Sequence, residues 1–144
     1  MSGPLNTVKV LDLSQGYLGY CAMQMGDLGA DVIKVEPLEG DVSRQWGPPF
    51  MNGESAAFLG VNRSKRGITL NWQKSPEARQ VLNKLIQWAD VVIEDLAPSE
   101  AELLKVDYNS VMRLNPRVVY CAITPFGEFG PYRDEAATEL EIQG

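Results

Sequence analysis

Val8-Lys9-Val10-Leu11-Asp12-Leu13, the stretch Leu18 to Leu28, and Asp31-Val32-Ile33-Lys34-Val35-Glu36 together decide how this chain folds. The first and last runs are short, aliphatic and rich in β-branched residues, which predicts strands. Between them Ala22, Met25 and Leu28 recur at helical spacing, and Gly29 stands where a helix takes its C-terminal stop. Pro37 cuts the second strand off. Strand, helix and strand in this order form a βαβ unit, whose two strands pair in parallel.

The same alternation continues outward. Gly40 to Gly53 is rich in glycine and proline and reads as a loop. Glu54 to Val61 predicts a short helix and Gly67 to Leu70 a short strand. Ser75-Pro76 opens the clearest helix, with an N-cap, a proline at the first helical position, and Ala78, Val81, Leu82, Leu85 and Ile86 on one face. Asp90 to Glu94 is a buried-type strand; helices are expected near Ser99–Lys105 and Asp107–Leu114, and a last strand over Arg117–Ile123. The expected fold is α/β: an open, Rossmann-like, mainly parallel sheet with helices on both faces. No repeat or linker divides the chain. Ala136 to Gln143 reads as the start of a helix that breaks off at Gly144, so a fragment of a larger domain is expected.

The chain has 144 residues, 44% of them hydrophobic and 22% charged, enough for one domain with its own core. Its formal charge of −6 argues against nucleic acid as a partner, because phosphate binding needs a basic surface. No apolar run has the length of a membrane span, and the N-terminus lacks a signal-peptide pattern. Cys21 and Cys121 match no metal or redox spacing; reduced, mostly buried thiols in a cytoplasmic protein are expected, with no metal. The chain contains no histidine, which removes imidazole-based acid–base and triad chemistry. Carboxylates, thiols, hydroxyls, backbone N–H groups or a bound cofactor must carry whatever chemistry occurs.

In an open parallel sheet, ligands bind beyond the carboxyl ends of the strands. Those ends carry Ser14-Gln15-Gly16-Tyr17-Leu18, Glu36-Pro37, Asp95-Leu96-Ala97-Pro98 and Thr124-Pro125-Phe126-Gly127. Each is expected to offer backbone amides beside small polar or apolar side chains, suited to a long ligand with a polar head. A dinucleotide fingerprint is only half present: Gly16 and Gly19 fall in the first turn and Glu36 ends the second strand, but a glycine is missing, which counts against NAD. Asn62-Arg63-Ser64-Lys65-Arg66-Gly67 reads either as an anion site or as a solvated basic loop. Trp46, Trp72 and Trp88 read as packing residues, and Glu39 and Asp41 as loop chemistry without an evident partner.

Asp27-Leu28-Gly29-Ala30-Asp31-Val32-Ile33-Lys34-Val35-Glu36 resembles the signature of the family III (formyl-CoA/carnitine-type) CoA-transferases. Further elements follow in the same order: Gly40-Asp41, Arg44, Gly47-Pro48, Glu54-Ser55, Asn62-Arg63, Lys65-Arg66, Ala89-Asp90-Val91, Asn115-Pro116, Phe126-Gly127, Gly130-Pro131-Tyr132 and Asp134. The resemblance implies that residues 1–144 are the N-terminal part of a large domain, with a small domain absent, and that two chains associate as a dimer. It implies transfer of CoA from an acyl-CoA to a small carboxylic acid through a thioester on an aspartate, with no metal. By resemblance, CoA contacts fall at Gln15, Tyr17, Leu18, Pro37, Arg63, Lys65, Arg66, Leu70, Asp95, Leu96, Lys105 and Thr124, with Gln15 also lining the active site.

The departures bear on function. Asp95-Leu96-Ala97-Pro98-Ser99 replaces the family's Asn-Phe-Arg-Pro-Gly, so a carboxylate stands where an amide is usual. Thr138 occupies the place of the racemase branch's histidine, which sets racemase chemistry aside. No aspartate of this chain matches the nucleophile's motif, which lies beyond Gly144, so the chain is expected to be inactive alone. The alternative is a non-catalytic CoA-binding or interaction module; an NAD-binding domain is the weaker third reading.

Overall fold

The computed structural model describes residues 3–137. The expected helix over 136–143 and the reading of Thr138 lie outside them from residue 138 onward. The described residues form seven strands and five α-helices: β1 (Lys9–Asp12), α1 (Tyr20–Asp27), β2 (Asp31–Glu36), β3 (Phe50–Met51), β4 (Glu54–Ser55), α2 (Ala56–Asn62), β5 (Lys65–Thr69), α3 (Pro76–Trp88), β6 (Val91–Glu94), α4 (Pro98–Leu103), α5 (Tyr108–Leu114) and β7 (Val119–Ala122). Five of the strands form one sheet in the order β5-β2-β1-β6-β7, and every pairing in it is parallel. The α/β expectation holds.

Strand alternation sorts the core onto two faces. Val10, Val32 and Ile93 point towards α1 and pack with Ala22 and Ala30. Leu11, Val35 and Val92 point the other way and pack with Leu82 and Ile86 of α3 and Val111 of α5. Past their first residues the central strands β1, β2 and β6 are buried or half-buried on both faces, which is why they read as near-continuous apolar runs. Val81 and Leu28, expected on buried helix faces, are instead exposed.

Helix ends follow the capping chemistry. Ser75 accepts the Ala78 N–H at the start of α3, and Pro76 takes the first helical position. α1 ends in a Schellman motif: Gly29 has φ +100°, its N–H reaches Gly26 O, and the Ala30 N–H reaches Met25 O. At the end of α3, Asn115 donates its side-chain amide to the Ile86 and Ala89 carbonyls at 3.0 and 2.7 Å. The Gly40–Gly53 stretch is more ordered than a loop. Asp41 caps a 3₁₀ turn over Val42–Gln45, and β3 and β4 form a hairpin around Asn52-Gly53, both at positive φ.

Candidate ligand site at the sheet switch point

β1 is followed in sequence by β2 on one side of it, while β6 lies on its other side, so the strand order reverses between β1 and β6. Connections diverge there and leave a crevice at the carboxyl ends of the strands. The turn after β1, Ser14-Gln15-Gly16, forms one lip, and Asp95-Leu96-Ala97 after β6 forms the other.

Three charged side chains hold that first turn, each from a different place. Lys34 Nζ donates to Ser14 O at 2.6 Å. The Gln15 N–H donates to Asp95 Oδ2 at 2.9 Å, and the Gly16 N–H donates to Asp41 at 3.1 Å. Gly16 adopts φ +59°, and a Cβ there would sit 2.8 Å from the Trp46 ring. Tyr17 leans on the same indole with centroids 4.6 Å apart. The amides of this turn are therefore committed to carboxylates and not open to a phosphate, which corrects the expectation that they would serve a ligand directly.

Beneath the turn lies a buried charge cluster. Asp12, Lys34 and Asp41 are all at most 2% exposed. Lys34 lies 2.8 Å from Asp41 and 4.0 Å from Asp12, and Lys65 Nζ reaches Asp12 Oδ2 at 2.7 Å. Burial pushes the Asp41 carboxyl up, but Lys34 and the Ser43 hydroxyl and amide outweigh it and hold it below the usual range. Asp41 is thus a buried structural anion, where the sequence had suggested loop chemistry without a partner. Glu36 is fully engaged as well: Arg44 donates to both its oxygens at 2.7 and 2.9 Å, and the Asp41 N–H adds a third bond. The Arg44 guanidinium accordingly holds the Glu36 carboxyl low. The acid that would bind ribose in a dinucleotide site is occupied.

The other lip carries perturbed carboxyls. Burial pushes Asp95 up to about 6, against the lowering effect of the Gln15 N–H and of Lys34. Glu94, 1% exposed, is pushed up to about 7, again chiefly by burial. It accepts the Leu96 N–H at 2.7 Å and the Tyr120 hydroxyl at 3.0 Å. Burial and Glu94 together raise the Tyr120 phenol. Asp95, Leu96 and Ala97 line an open cavity of about 540 Å³ with Leu18, Thr124, Pro125 and residues 133–137. The Asp134 carboxylate reaches across to accept the Ser99 N–H at 2.8 Å, capping α4 where Ala97 cannot.

A family model described as "CoA-transferase family III" matches residues 5–144. This chain belongs to CoA-transferase family III. It is 42% identical, over 149 aligned positions, to a succinate–glutarate CoA-transferase of Agrobacterium fabrum, covering 98% of this chain and 37% of that protein. It is 41% identical over 135 positions to the mouse succinyl-CoA:glutarate CoA-transferase, covering 92% of this chain and 31% of that one. A CAIB/BAIF family protein from Brucella suis superposes with a TM-score of 0.92 at 40% identity, over 99% of this chain and 39% of its own. The chain spans about a third of the length of the curated relatives it matches.

Within this family III chain, the residues singled out from sequence separate into groups. Gln15, Leu18, Asp95, Leu96 and Thr124 come together at the switch point, with Tyr17 exposed beside them on Trp46. Pro37 and Leu70 share a small groove with Trp72 and Lys74 at the ends of β2 and β5. The basic run does not act as one patch. Successive residues of a strand point to opposite faces, so Lys65 turns inward to Asp12 while Arg66 turns out and chelates Asp31 at 2.7 and 2.8 Å. Arg63 pairs with Asp27 at 2.5 Å. Arg63 and Arg66 thus lie towards the amino-terminal edge of the sheet, away from the crevice. Lys65 cannot meet a ligand: its ammonium also donates to Gly19 O and Asn62 Oδ1, and burial pulls its pKa down despite Asp12. Lys105 lies in a separate groove between α3 and α5.

Cys21 is exposed and Cys121 half-buried, both free, which corrects the expectation of mostly buried thiols. No helix among the described residues is long and apolar enough to cross a membrane. Sequence reasoning missed Lys34, Asp41, Glu94 and Tyr120. Their only signal was a charged or polar residue inside or just after an apolar run, and their partners lie on other elements.

Proposed function

We propose that this chain provides the CoA-binding edge of a CoA-transferase that moves CoA from an acyl-CoA to a small carboxylic acid, with the nucleophilic aspartate supplied by residues beyond Gly144. The carrying observation is the crevice at the β1/β6 reversal, with an apolar wall of Leu18, Leu96 and Ala97 beside the Gln15–Asp95 bridge. Such a wall suits a pantetheine-like arm, which is amide-bearing and uncharged. The groove of Pro37, Leu70 and Trp72 with Lys74 is a fitting place for the nucleotide end. The names of the relatives, among them succinyl-CoA:glutarate and formyl-CoA:oxalate CoA-transferases, support CoA thioesters and small carboxylic acids as the substrate class.

The aspartates at the crevice already serve the fold. Asp12 is fully buried and bound by Ser14 and Lys65, Asp41 is bound by Lys34 and Ser43, Asp95 accepts the Gln15 N–H, and Asp134 accepts from Ser99 and Arg133. Self-association into a dimer and a cytoplasmic location belong to the same proposal. The test is a calorimetric titration of the purified chain with CoA and, in parallel, NADH. Saturable binding of CoA without NADH is expected; binding of NADH, or of neither, would overturn the reading. A transfer assay then separates an enzyme part from a binding module. The chain alone gives no turnover, and the protein carrying the nucleophile does.

A further inference from the structure

We propose that the groove between α3 and α5 is a second binding site, separate from the crevice, for a phosphate-sized anion. Arg79 of α3, Lys105 of the α4–α5 connection and Arg113 of α5 line it together with Asn83, Ser110 and Leu114, around a volume of about 340 Å³. No carboxylate lines it. That is unexpected in a chain with 19 acidic against 13 basic residues. Lys34, Arg44, Arg63, Lys65, Arg66 and Arg133 are each paired with Asp or Glu. Arg79, Lys105 and Arg113, like Lys9, Lys74, Lys84 and Arg117, form no ion pair among the described residues, and these three share one groove.

Arg79 marks the floor of the site. Its Nη2 donates to the Leu104 carbonyl, and its guanidinium lies 5.1 Å from the Trp72 ring. Its Nη1 is buried with no hydrogen-bond partner among the described residues. A partly desolvated cation without a counter-ion is an unfavourable state that an anion in the groove relieves through its charge. Burial lowers the Arg79 pKa, in keeping with a charge that lacks a counter-ion. Lys105 is fixed at the rim by the end of α4: it adopts φ +56°, the position a glycine would occupy without strain, while the Val106 N–H closes onto Ala101 O. Arg113 is anchored through Nε on Asn109 O at 3.1 Å, and Asp107, the acid nearest in sequence, accepts the Ser110 N–H.

Two guanidinium groups and an ammonium, with a hydroxyl and an amide in the same lining, match a tetrahedral dianion such as phosphate or a phosphate monoester group. No residue of this groove lines the crevice cavity or the groove at Pro37 and Leu70. The groove is a separate place in the fold, although Lys105 is also among the contacts that the resemblance implies for CoA and Arg79 lies against Trp72 of the Pro37 groove.

The test titrates the purified protein with inorganic phosphate at constant ionic strength, followed by backbone amide NMR shifts, with chloride in parallel. The exposed pair is then replaced, Lys105→Gln with Arg113→Gln, and the urea midpoint checks that the fold is intact; Ser110→Ala serves as a milder second variant. Saturable phosphate binding at amides of α3 and α5, weakened about tenfold or more in the double variant and unchanged by saturating pantetheine, which carries no phosphate, is expected. No saturable binding, an equal response to chloride, an unaltered affinity in the double variant, or displacement by pantetheine would each overturn it.

Discussion

The Asp95 carboxylate accepts the Gln15 backbone N–H at 2.9 Å and so bridges the loops after β6 and β1 across the reversal of strand order. An asparagine keeps an oxygen for that bond but removes a negative charge from the crevice. Asp95→Asn is therefore expected to bind CoA several-fold more tightly at neutral pH, a gain of about 1 kcal/mol. Because Asp95 titrates near 6, the wild-type chain gains the same neutral form as pH falls through that value, and the two affinities converge near pH 5. Calorimetry on both proteins across this range checks it; a gain that persists undiminished at low pH counts against the electrostatic account.

Glu94 predicts how stability varies with pH. Its folded pKa, about 7, exceeds its ordinary 4.5, so the folded state holds a proton that the unfolded chain releases. Stability then falls as pH rises from about 4.5 to about 7 and levels off above. Glu94→Gln removes this linkage while the Tyr120 hydroxyl rotates to meet the new amide. Its urea stability is expected to exceed wild type by roughly 1–3 kcal/mol at alkaline pH, and the difference vanishes in acid.

Lys34 holds Asp41 at 2.8 Å and Ser14 O at 2.6 Å inside the protein. Lys34→Met leaves Asp41 as a buried, uncompensated charge and frees the first turn. A loss of roughly 3–5 kcal/mol is expected in denaturant unfolding, against well under 1 kcal/mol for Arg66→Met, whose ion pair is exposed.

Asn115 satisfies two carbonyls at the end of α3. Asn115→Asp replaces that donor with an acceptor and is expected to cost about 2–4 kcal/mol, read as a lower urea midpoint. Asn115→Ala falls between that variant and wild type.

The sequence was legible where the deciding interactions are local. The bounds of β2 and α3 follow from Pro37 and from Ser75-Pro76, because each acts on its own backbone. What could not be read depends on partners far along the chain. Lys34 and Asp41 are plain charged residues until the sheet sets β1 and β2 side by side. Arg63, Lys65 and Arg66 look like one patch in a row, yet strand alternation and burial send them to three different aspartates. The β3–β4 hairpin was hidden because two-residue strands have no period to detect. At the crevice, Gln15, Leu18, Asp95, Leu96 and Thr124 were found from the positions of strand ends, whereas Lys105 was placed by motif position alone and lies elsewhere.

The two amides of the β1 turn are already taken, by Asp95 and Asp41. Asp95 faces the cavity while Asp41 lies buried behind the turn, so the lip shows a ligand one carboxylate where a dinucleotide binder would offer bare N–H groups. On the proposed CoA reading, a long neutral tether would cross here and hold the phosphates clear, and the crevice would then select by the distance between charge and reactivity along the ligand.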